Sequence, residues 1–275
     1  MIKLGSFVSF KKPDYLVGAV EEALSYNANT MMIYLGAPQT TKRVPVSEYK
    51  LAEYEAKYEK LIPKENIIVH APYIINPANP EKSKYSCDFL ISEIERMNYI
   101  GCKYMVLHPG AYTKYSSETA LDTLVDSLKY ILKNTKDVVI CLETMAGKGT
   151  EIGINFEQMR YILDKVNDER IQICLDTCHI YDAGYDLHQY GAFKQELKKW
   201  DLTKHIKVIH LNDSKNILGS HKDCHANINV GTIGLATLQK IVFDPDFETV
   251  SKILETPWED GISPYKAEIA MLLNK

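Results

Sequence analysis

The sequence lacks the features that mark secreted, membrane-spanning or disulfide-stapled proteins. Its N-terminus, MIKLGSFVSF, has neither the long apolar region nor the cleavage site of a signal peptide. Its longest apolar runs, such as VVICL and TMMIYLG, are far too short to cross a bilayer. No CxxC pair occurs among the six cysteines, which are Cys87, Cys102, Cys141, Cys174, Cys178 and Cys224. These absences predict a cytoplasmic protein with reduced structural thiols and no membrane partner.

An excess of positive charge is also missing, since the chain carries a formal net charge of −4 at pH 7. Proteins that coat nucleic acid non-specifically need a basic face, so that class is disfavoured. Specific binding to DNA is not excluded, because acidic residues that bind metal ions are neutralised locally. With 45% hydrophobic and 25% charged residues among 275, the composition is that of an ordinary globular protein with a large core.

Short apolar runs alternate with longer segments of helical periodicity along the whole chain. The runs predict eight strands, at residues 2–8, 30–36, 66–71, 103–108, 138–143, 171–176, 206–211 and 248–255. Segments such as DYLVGAVEEALSYN and ETALDTLVDSLKYILKN predict helices between them. Eight strand–helix units predict one (β/α)8 TIM barrel that covers residues 1–275 as a single domain. The alternative is a doubly wound open sheet, although no glycine-rich phosphate-binding fingerprint follows the first strand.

Imidazole and carboxylate side chains stand at the ends of six predicted strands, where a barrel has its active site. These residues are His70, His108, Glu143, Asp176, His210 and Glu255. His179 follows Asp176 by three residues. The loop after the seventh strand adds Asp223 and His225, which face one way if that segment is extended. The other histidines are interpreted as structural: His188, His205 and His221.

Histidine nitrogens and carboxylate oxygens together form a zinc-type or manganese-type ligand set. A single histidine at the end of an apolar strand is usually a satisfied core residue. Four buried, unpaired carboxylates, however, would be prohibitively costly, so a metal centre at the barrel mouth is the preferred interpretation. Cys178 and Cys224 adjoin these residues, but neighbours in an extended loop point apart, so neither cysteine is expected as a ligand.

Five motifs occur in a fixed order: LHPG, ETMAGKG…IG, LDTCH…AGYDL, HLNDSK and DCHANI…GTIG. With them the chain closely resembles, from end to end, the endonuclease IV family of zinc-dependent apurinic/apyrimidinic endonucleases. The resemblance implies a barrel similar to those of sugar isomerases and a role in base excision repair. The implied enzyme is a monomeric phosphodiester hydrolase of the deoxyribonuclease IV type. It would cut duplex DNA 5′ to abasic sites, leaving a 3′-hydroxyl and a 5′-deoxyribose phosphate, and would also process 3′-blocked ends as a diesterase or phosphatase.

The resemblance also implies which residues carry the chemistry. Three zinc ions are expected, with manganese an alternative at one position. Their implied ligands are His70, His108 and Glu143 for the first ion, Glu143, Asp176, His210 and Glu255 for the second, and His179, Asp223 and His225 for the third. Glu143 would bridge two ions, and Glu143, Asp176 and Glu255 would be the catalytic carboxylates. This assignment explains why Asp176 and His179 are close in sequence, because one turn of chain would reach two different metals.

In the family, two loops push side chains into the duplex at the lesion. Tyr73 and Ile74 match one such pair, and Gln39 and Arg43 lie in the loop that aligns with the other. An apolar wedge suits abasic DNA, because unstacking a step that already lacks a base costs little and filling the gap restores stacking. These four residues are the expected contacts to DNA.

The sequence departs from the family pattern at four positions. Phe7 stands where the family usually has histidine, and Cys224 replaces an arginine. Asn229 and Val230 stand where a glycine–glutamate pair is common. None of the four is an implied ligand, so the departures bear on efficiency and DNA contacts rather than on metal binding.

A metal-dependent sugar isomerase or epimerase on the same barrel is the alternative function. Such an enzyme uses one or two ions and an acid–base pair that moves a proton. The trio His179, Asp223 and His225 discriminates between the two functions, because a third ion has no obvious role in proton transfer. A non-catalytic module with a closed structural zinc site fits less well, since it would use four protein ligands, usually including cysteine.

Overall fold

In the computed structural model, which describes residues 1–274, eight parallel strands close into a barrel and two short strands form a separate hairpin. The strands are β1 (Leu4–Phe7), β2 (Thr30–Ile33), β3 (Ile67–His70), β4 (Tyr104–Leu107), β5 (Val139–Glu143), β6 (Ile171–Asp176), β7 (Ile206–His210), β8 (Asp213–Ser214), β9 (His225–Ala226) and β10 (Ser251–Leu254). The antiparallel hairpin is β8 with β9, and β10 closes the ring against β1 and β7. The predicted (β/α)8 barrel is confirmed, and closure rules out the open sheet.

Nine α-helices of residues 1–274 pack around this barrel. They are α1 (Leu16–Ser25), α2 (Leu51–Lys57), α3 (Ser83–Ile100), α4 (Ser117–Asn134), α5 (Phe156–Val166), α6 (Thr177–Asp182), α7 (Tyr190–Lys199), α8 (Leu235–Val242) and α9 (Tyr265–Leu273). Side-chain caps fix several starts: Ser116 Oγ accepts the Thr119 N–H before α4 at 3.2 Å, which satisfies an amide that the helix cannot. None of these helices is long and apolar enough to cross a membrane.

The core has two layers, one inside the barrel and one between the strands and the helices. The inner layer consists of Met32, Ile68, Val106, Val139, Cys141, Cys174, Val208 and Ile253. All six cysteines are unpaired, and five of them are buried, which agrees with structural thiols. Cys224 is the exposed one.

Strand alternation carries the inner layer upward into the barrel mouth. Side chains two residues apart on a strand point to the same side. Each predicted strand-end ligand lies two residues after an inner-layer side chain, in the pairs Ile68 and His70, Val106 and His108, Cys141 and Glu143, Cys174 and Asp176, Val208 and His210, and Ile253 and Glu255. The same register that fills the barrel interior therefore directs six ligand-type side chains over its carboxyl end.

Candidate metal centre

Glu143 is the centre of the residues that meet at the barrel mouth, with 1% of its side chain exposed. Its Oε2 lies 3.1 Å from His70 Nε2 and 3.0 Å from His108 Nε2. Its Oε1 lies 3.0 Å from His210 Nδ1 and 3.3 Å from His179 Nδ1. One carboxylate oxygen thus faces His70 and His108 and the other faces His210, so Glu143 can serve two ions.

His210 links Glu143 to two further carboxylates. Its Nδ1 lies 2.9 Å from Glu255 Oε2 and 3.8 Å from Asp176 Oδ2. Asn212 is fully buried beside them, donating from Nδ2 to Asp176 Oδ2 at 2.8 Å and accepting the backbone N–H of Glu255 on Oδ1 at 2.8 Å. One amide side chain therefore holds two acidic strand ends in a fixed relation.

Asp176 and His179 are close in sequence because the strand passes directly into a helix. Asp176 is the last residue of β6 and also the N-cap of α6, and its Oδ1 accepts the His179 N–H at 2.7 Å. His179 Nε2 lies 2.9 Å from Asp223 Oδ1. His225 Nε2 lies 3.7 Å from both Asp223 Oδ1 and Asp176 Oδ2. A third cluster of ligand-type atoms thus adjoins the first two through Asp176.

The segment that carries Asp223 is not extended, so the backbone expected from the i, i+2 spacing was wrong. Asp223 has φ +58°, in the left-handed region, and His225 begins the short strand β9. The two side chains nevertheless converge. They do so because the chain turns at Asp223, and strand alternation has no part in it.

Burial and opposite charges act against each other on these groups. Burial raises the pKa of Glu143, but His210 and His108 outweigh burial and hold that pKa well below its ordinary value. Glu255 behaves in the same way beside His210, with a pKa of about 2. Burial lowers the pKa of His179, yet the neighbouring carboxylates raise it well above 6.5. The cluster therefore holds ionised carboxylates away from water, where they attract positive charge strongly.

The donor atoms fall into overlapping groups whose members lie within 4.8 Å of one another. These groups are His70, His108 and Glu143; Glu143, Asp176, His210 and Glu255; His70, His210 and Glu255; and Asp176, His179 and His225. Within residues 1–274, His225 Nε2 is buried and has no hydrogen-bond partner, although it faces two carboxylates. Mixed nitrogen and oxygen donors with such an unsatisfied imidazole fit divalent metal ions of the zinc or manganese type.

Comparisons with known proteins show the family to which this chain belongs. Residues 20–275 match the family profile described as "Xylose isomerase-like TIM barrel". The chain is 68% identical to the "Probable endonuclease 4" of Mycoplasmopsis synoviae over 275 residues, covering 100% of this chain and 99% of that protein. It is 62% identical to the protein of the same name from Mycoplasmopsis agalactiae, covering 99% and 98%. The chain belongs to the endonuclease IV family. It is therefore an enzyme, a hydrolase of the endonuclease class.

Solved structures separate this family from the wider group that shares its barrel. The endonuclease IV of Thermus thermophilus superimposes with a TM-score of 0.84 at 28% identity, covering 98% of each chain. A D-tagatose 3-epimerase-like protein superimposes with a TM-score of 0.73 at 19% identity, covering 99% of this chain and 96% of that one. At that identity the epimerase likeness shows a common fold alone.

Two of the residues expected to contact DNA in the endonuclease IV family are large and exposed. Tyr73 and Ile74, in the loop after β3, are 51% and 42% exposed. Gln39, in the loop after β2, is exposed as well. Exposed apolar side chains beside a buried polar centre are compatible with a wedge, and these three assignments stay predictions.

Arg43 requires a correction, because its side chain is only 3% exposed. Its Nε donates to both carboxylate oxygens of Glu93, at 2.9 and 3.0 Å, and its Nη1 donates to the backbone oxygens of Thr40 and Lys42. The guanidinium also lies 5.0 Å from the ring centre of Phe89. Arg43 therefore fixes the loop after β2 onto α3, and its charge is not presented to DNA.

Among the departures from the endonuclease IV pattern, Phe7 and Asn229 have local explanations, and Cys224 and Val230 are exposed. Phe7 packs edge-on against Tyr34 at 5.5 Å, and the Tyr34 ring lies 4.9 Å from that of His70, so aromatic contacts occupy this side of the mouth. Asn229 has φ +68°, which glycine adopts most readily and asparagine tolerates. Val230 is 73% exposed and has no packing role that would demand a particular side chain.

Three residues of the mouth were not predicted. Asn212 lies inside the motif HLNDSK, two residues after His210, but nothing in that motif indicates which carboxylates it joins. Tyr34 follows the inner-layer Met32 by two residues, so strand alternation could have placed it. Asp182 lies one helical turn after His179, and that spacing was its only signal.

Proposed function

We propose that this chain is a DNA-repair endonuclease that hydrolyses the phosphodiester 5′ to abasic sites in duplex DNA. The products would be a 3′-hydroxyl and a 5′-deoxyribose phosphate, and 3′-blocked ends would be processed at the same site. Membership of the endonuclease IV family supports cleavage of DNA. The observation that carries the proposal is the convergence of nine nitrogen and oxygen donors on Glu143 and its neighbours at the mouth of the barrel.

Three divalent ions, zinc in the first place, are the proposed cofactors. His70, His108 and Glu143 would hold the first, and Glu143, Asp176, His210 and Glu255 the second. His179, Asp223 and His225 would hold the third. When bound, such ions supply positive charge to a phosphate and lower the pKa of a bound water. Four carboxylates carry four negative charges and three divalent ions six positive ones, so the mouth would hold a charge of about +2 and attract a phosphodiester.

The protein's own part is to hold these groups in fixed positions. Asn212 fixes the acidic side chain of Asp176 and the backbone of Glu255 with two bonds of 2.8 Å. Thr144 accepts a hydrogen bond from His179 Nδ1 on its carbonyl oxygen at 2.9 Å, which leaves Nε2 free to act as a donor atom toward the mouth. The hydrogen bond to Thr144 keeps the His179 imidazole in one orientation when a charged substrate binds. Catalytic groups that need no rearrangement at the moment of reaction contribute most to rate.

Recognition of the lesion is assigned to the exposed loops around this centre. Tyr73 and Ile74 are exposed in the loop after β3 and would offer a flat and an aliphatic surface for the gap left by a missing base. Gln39 would add a polar contact from the neighbouring loop. Stacking of this kind is worth about 1–3 kcal/mol per contact, and only at the lesion is the gap already open.

A duplex with one tetrahydrofuran abasic analogue, labelled at the 5′ end, tests the proposal. Purified protein should give a single cut directly 5′ to the analogue, with a 3′-hydroxyl that a polymerase extends. Chelation should abolish the cut, and added zinc should restore it. Absence of cutting by protein that contains its metal would refute the nuclease, and interconversion of ketoses by the same sample would establish the isomerase instead.

A further inference from the structure

The acidic side chain at the end of α6 is hydrogen-bonded to the loop that carries Asp223. Asp182 is fully buried at the end of α6, one turn after His179. Its Oδ1 accepts the hydroxyl of Ser214 at 2.7 Å. Its Oδ2 accepts the side-chain amide of Asn216 at 2.8 Å and the backbone N–H of Asp223 at 2.9 Å. Three neutral donors thus surround one carboxylate, and one of them belongs to a proposed metal ligand.

The loop that Asp182 holds, residues 215–224 between β8 and β9, contains two strained positions. His221 has φ +55° and Asp223 has φ +58°, conformations that non-glycine residues adopt at a cost. The backbone N–H of His221 donates to the Asp182 carbonyl oxygen at 3.0 Å. Asp182 therefore receives the amides of both left-handed residues, one on its backbone and one on its side chain.

We propose that Asp182 is a positioning residue for the third metal ion. The inference rests on the proposed function, in which His179, Asp223 and His225 bind that ion. His179 and Asp182 belong to the same helix, so the bond from Asp182 to Asp223 fixes one ligand relative to another across 44 residues of sequence. A ligand on an unrestrained loop loses conformational freedom when the ion binds, and a loop that is already fixed does not.

A purely structural role makes a different prediction, and Asp213 provides the matched control. Asp213 is also fully buried, and its carboxylate accepts backbone N–H groups, including those of Ile233 at 2.8 Å and Gly234 at 3.1 Å. It fixes the segment 229–234, which carries no proposed ligand. Replacement of Asp182 or Asp213 by asparagine should therefore disturb a comparable loop network, while only Asp182 has a side-chain hydrogen bond to a proposed metal ligand.

The experiment compares wild type, Asp182→Asn and Asp213→Asn for zinc stoichiometry and for zinc affinity in competition with a chelator. Asp182→Asn should weaken the loosest of the three ions by roughly 10- to 100-fold, as loss of a residue behind a metal ligand does. The other two ions should be retained. Asp213→Asn should keep all three ions at wild-type affinity even where thermal unfolding shows a similar loss of stability.

Ser214→Ala is the milder variant if Asp182→Asn does not fold, because it keeps the Asp182 carboxylate and removes the 2.7 Å bond to Oδ1 together with the 3.1 Å bond that Ser214 Oγ accepts from the Asn216 N–H. It should weaken the same ion by a smaller factor. Wild-type zinc affinity in the folded Asp182 and Ser214 variants would overturn the inference, as would equal zinc loss in Asp182→Asn and Asp213→Asn. These readouts are independent of DNA cleavage, so wild type that binds three ions but leaves abasic DNA intact would refute the proposed function alone.

Discussion

The two halves of the candidate centre are built by different means. Around Glu143, the donors stand at the ends of parallel strands: the side chains of His70 and His210 are 2% and 0% exposed, and those of His108 and Glu255 are 29% and 18% exposed. Around His179, two of the donors come from a loop, and the side chains of Asp223 and His225 are 30% and 20% exposed. The strand half is fixed by closure of the barrel. The loop half depends on a few hydrogen bonds, so it can be altered without disturbing the fold.

The most severe way to break the strand half is Glu143→Gln. The amide keeps the shape but removes the charge that faces four imidazoles, so the ions on either side should both be lost or weakened. We expect activity on abasic DNA to fall by at least ~10², the scale of losing one transition-state stabiliser. Cutting rate and zinc content should be measured together, with Glu118→Gln on the exposed start of α4 as the control. Near-normal turnover with full metal content would contradict the bridging role.

The exposed residues Tyr73 and Ile74 should affect recognition of abasic DNA without affecting either half of the candidate centre. In Tyr73→Ala combined with Ile74→Ala, two exposed side chains are removed and no metal donor is touched. The preference for abasic over intact duplex should fall by about tenfold or more, since each stacking contact is worth about 1–3 kcal/mol. Zinc content should not change. Fluorescence anisotropy with both duplexes measures the ratio, and Tyr99→Ala, which removes a 46% exposed ring from α3, is the control. An unchanged ratio would refute the wedge.

The metal ions should be released in two steps, the first from the loop half and the second from the strand half. Because two of the three donors of the loop half come from a loop held by a few hydrogen bonds, while the donors of the strand half stand at barrel strand ends, a limiting chelator should withdraw one ion before the other two. Release of zinc to a chromogenic chelator should show a fast phase of one equivalent and a slower phase of two. His225→Ala should remove the fast phase alone. Release of all three ions at one rate would show that the halves are not independent.

In the metal-free protein, a fall in pH should remove more stability through the strand half than through the loop half. The pKa of Glu255 is about 2, below its ordinary 4.5, so its contribution to stability is present above pH ~4.5 and is lost as the pH falls toward 2. The pKa of Asp223 is lowered less far, with burial opposing His179. The melting temperature, measured from pH 6 down to pH 3, should therefore lose more of its dependence on pH in Glu255→Gln than in Asp223→Asn. The reverse order would contradict the assignment.

The strand half could be predicted from sequence because two short-range rules fix it. Apolar runs define the strands, and alternation of two places Glu143 above Cys141 and His210 above Val208. Closure of the barrel then brings the strand ends together without further information. The eight predicted barrel strands accordingly match the observed ones to within three residues at either end.

The loop half and its surroundings could not be predicted in the same way, because their contacts span long stretches of sequence. Arg43 is paired with Glu93, 50 residues away, and no local pattern distinguishes such a buried arginine from a solvated one. Likewise, the turn at Asp223 depends on its bond to Asp182, 41 residues earlier. Motif resemblance indicated the proposed ligands in this half, but it did not give the bonds that hold them.

The apolar layer inside the barrel closes the candidate metal centre on its lower side. Below the donors lie tightly packed side chains such as Val106, Cys174 and Ile253, none of them more than 1% exposed. Ions, water and products must then all pass through the same upper opening, which is the face assigned to DNA. A bound duplex would therefore block this opening. Exchange of the bound zinc for an isotopically labelled pool should slow markedly when abasic DNA is present, and an exchange rate indifferent to DNA would reveal a second route through the barrel.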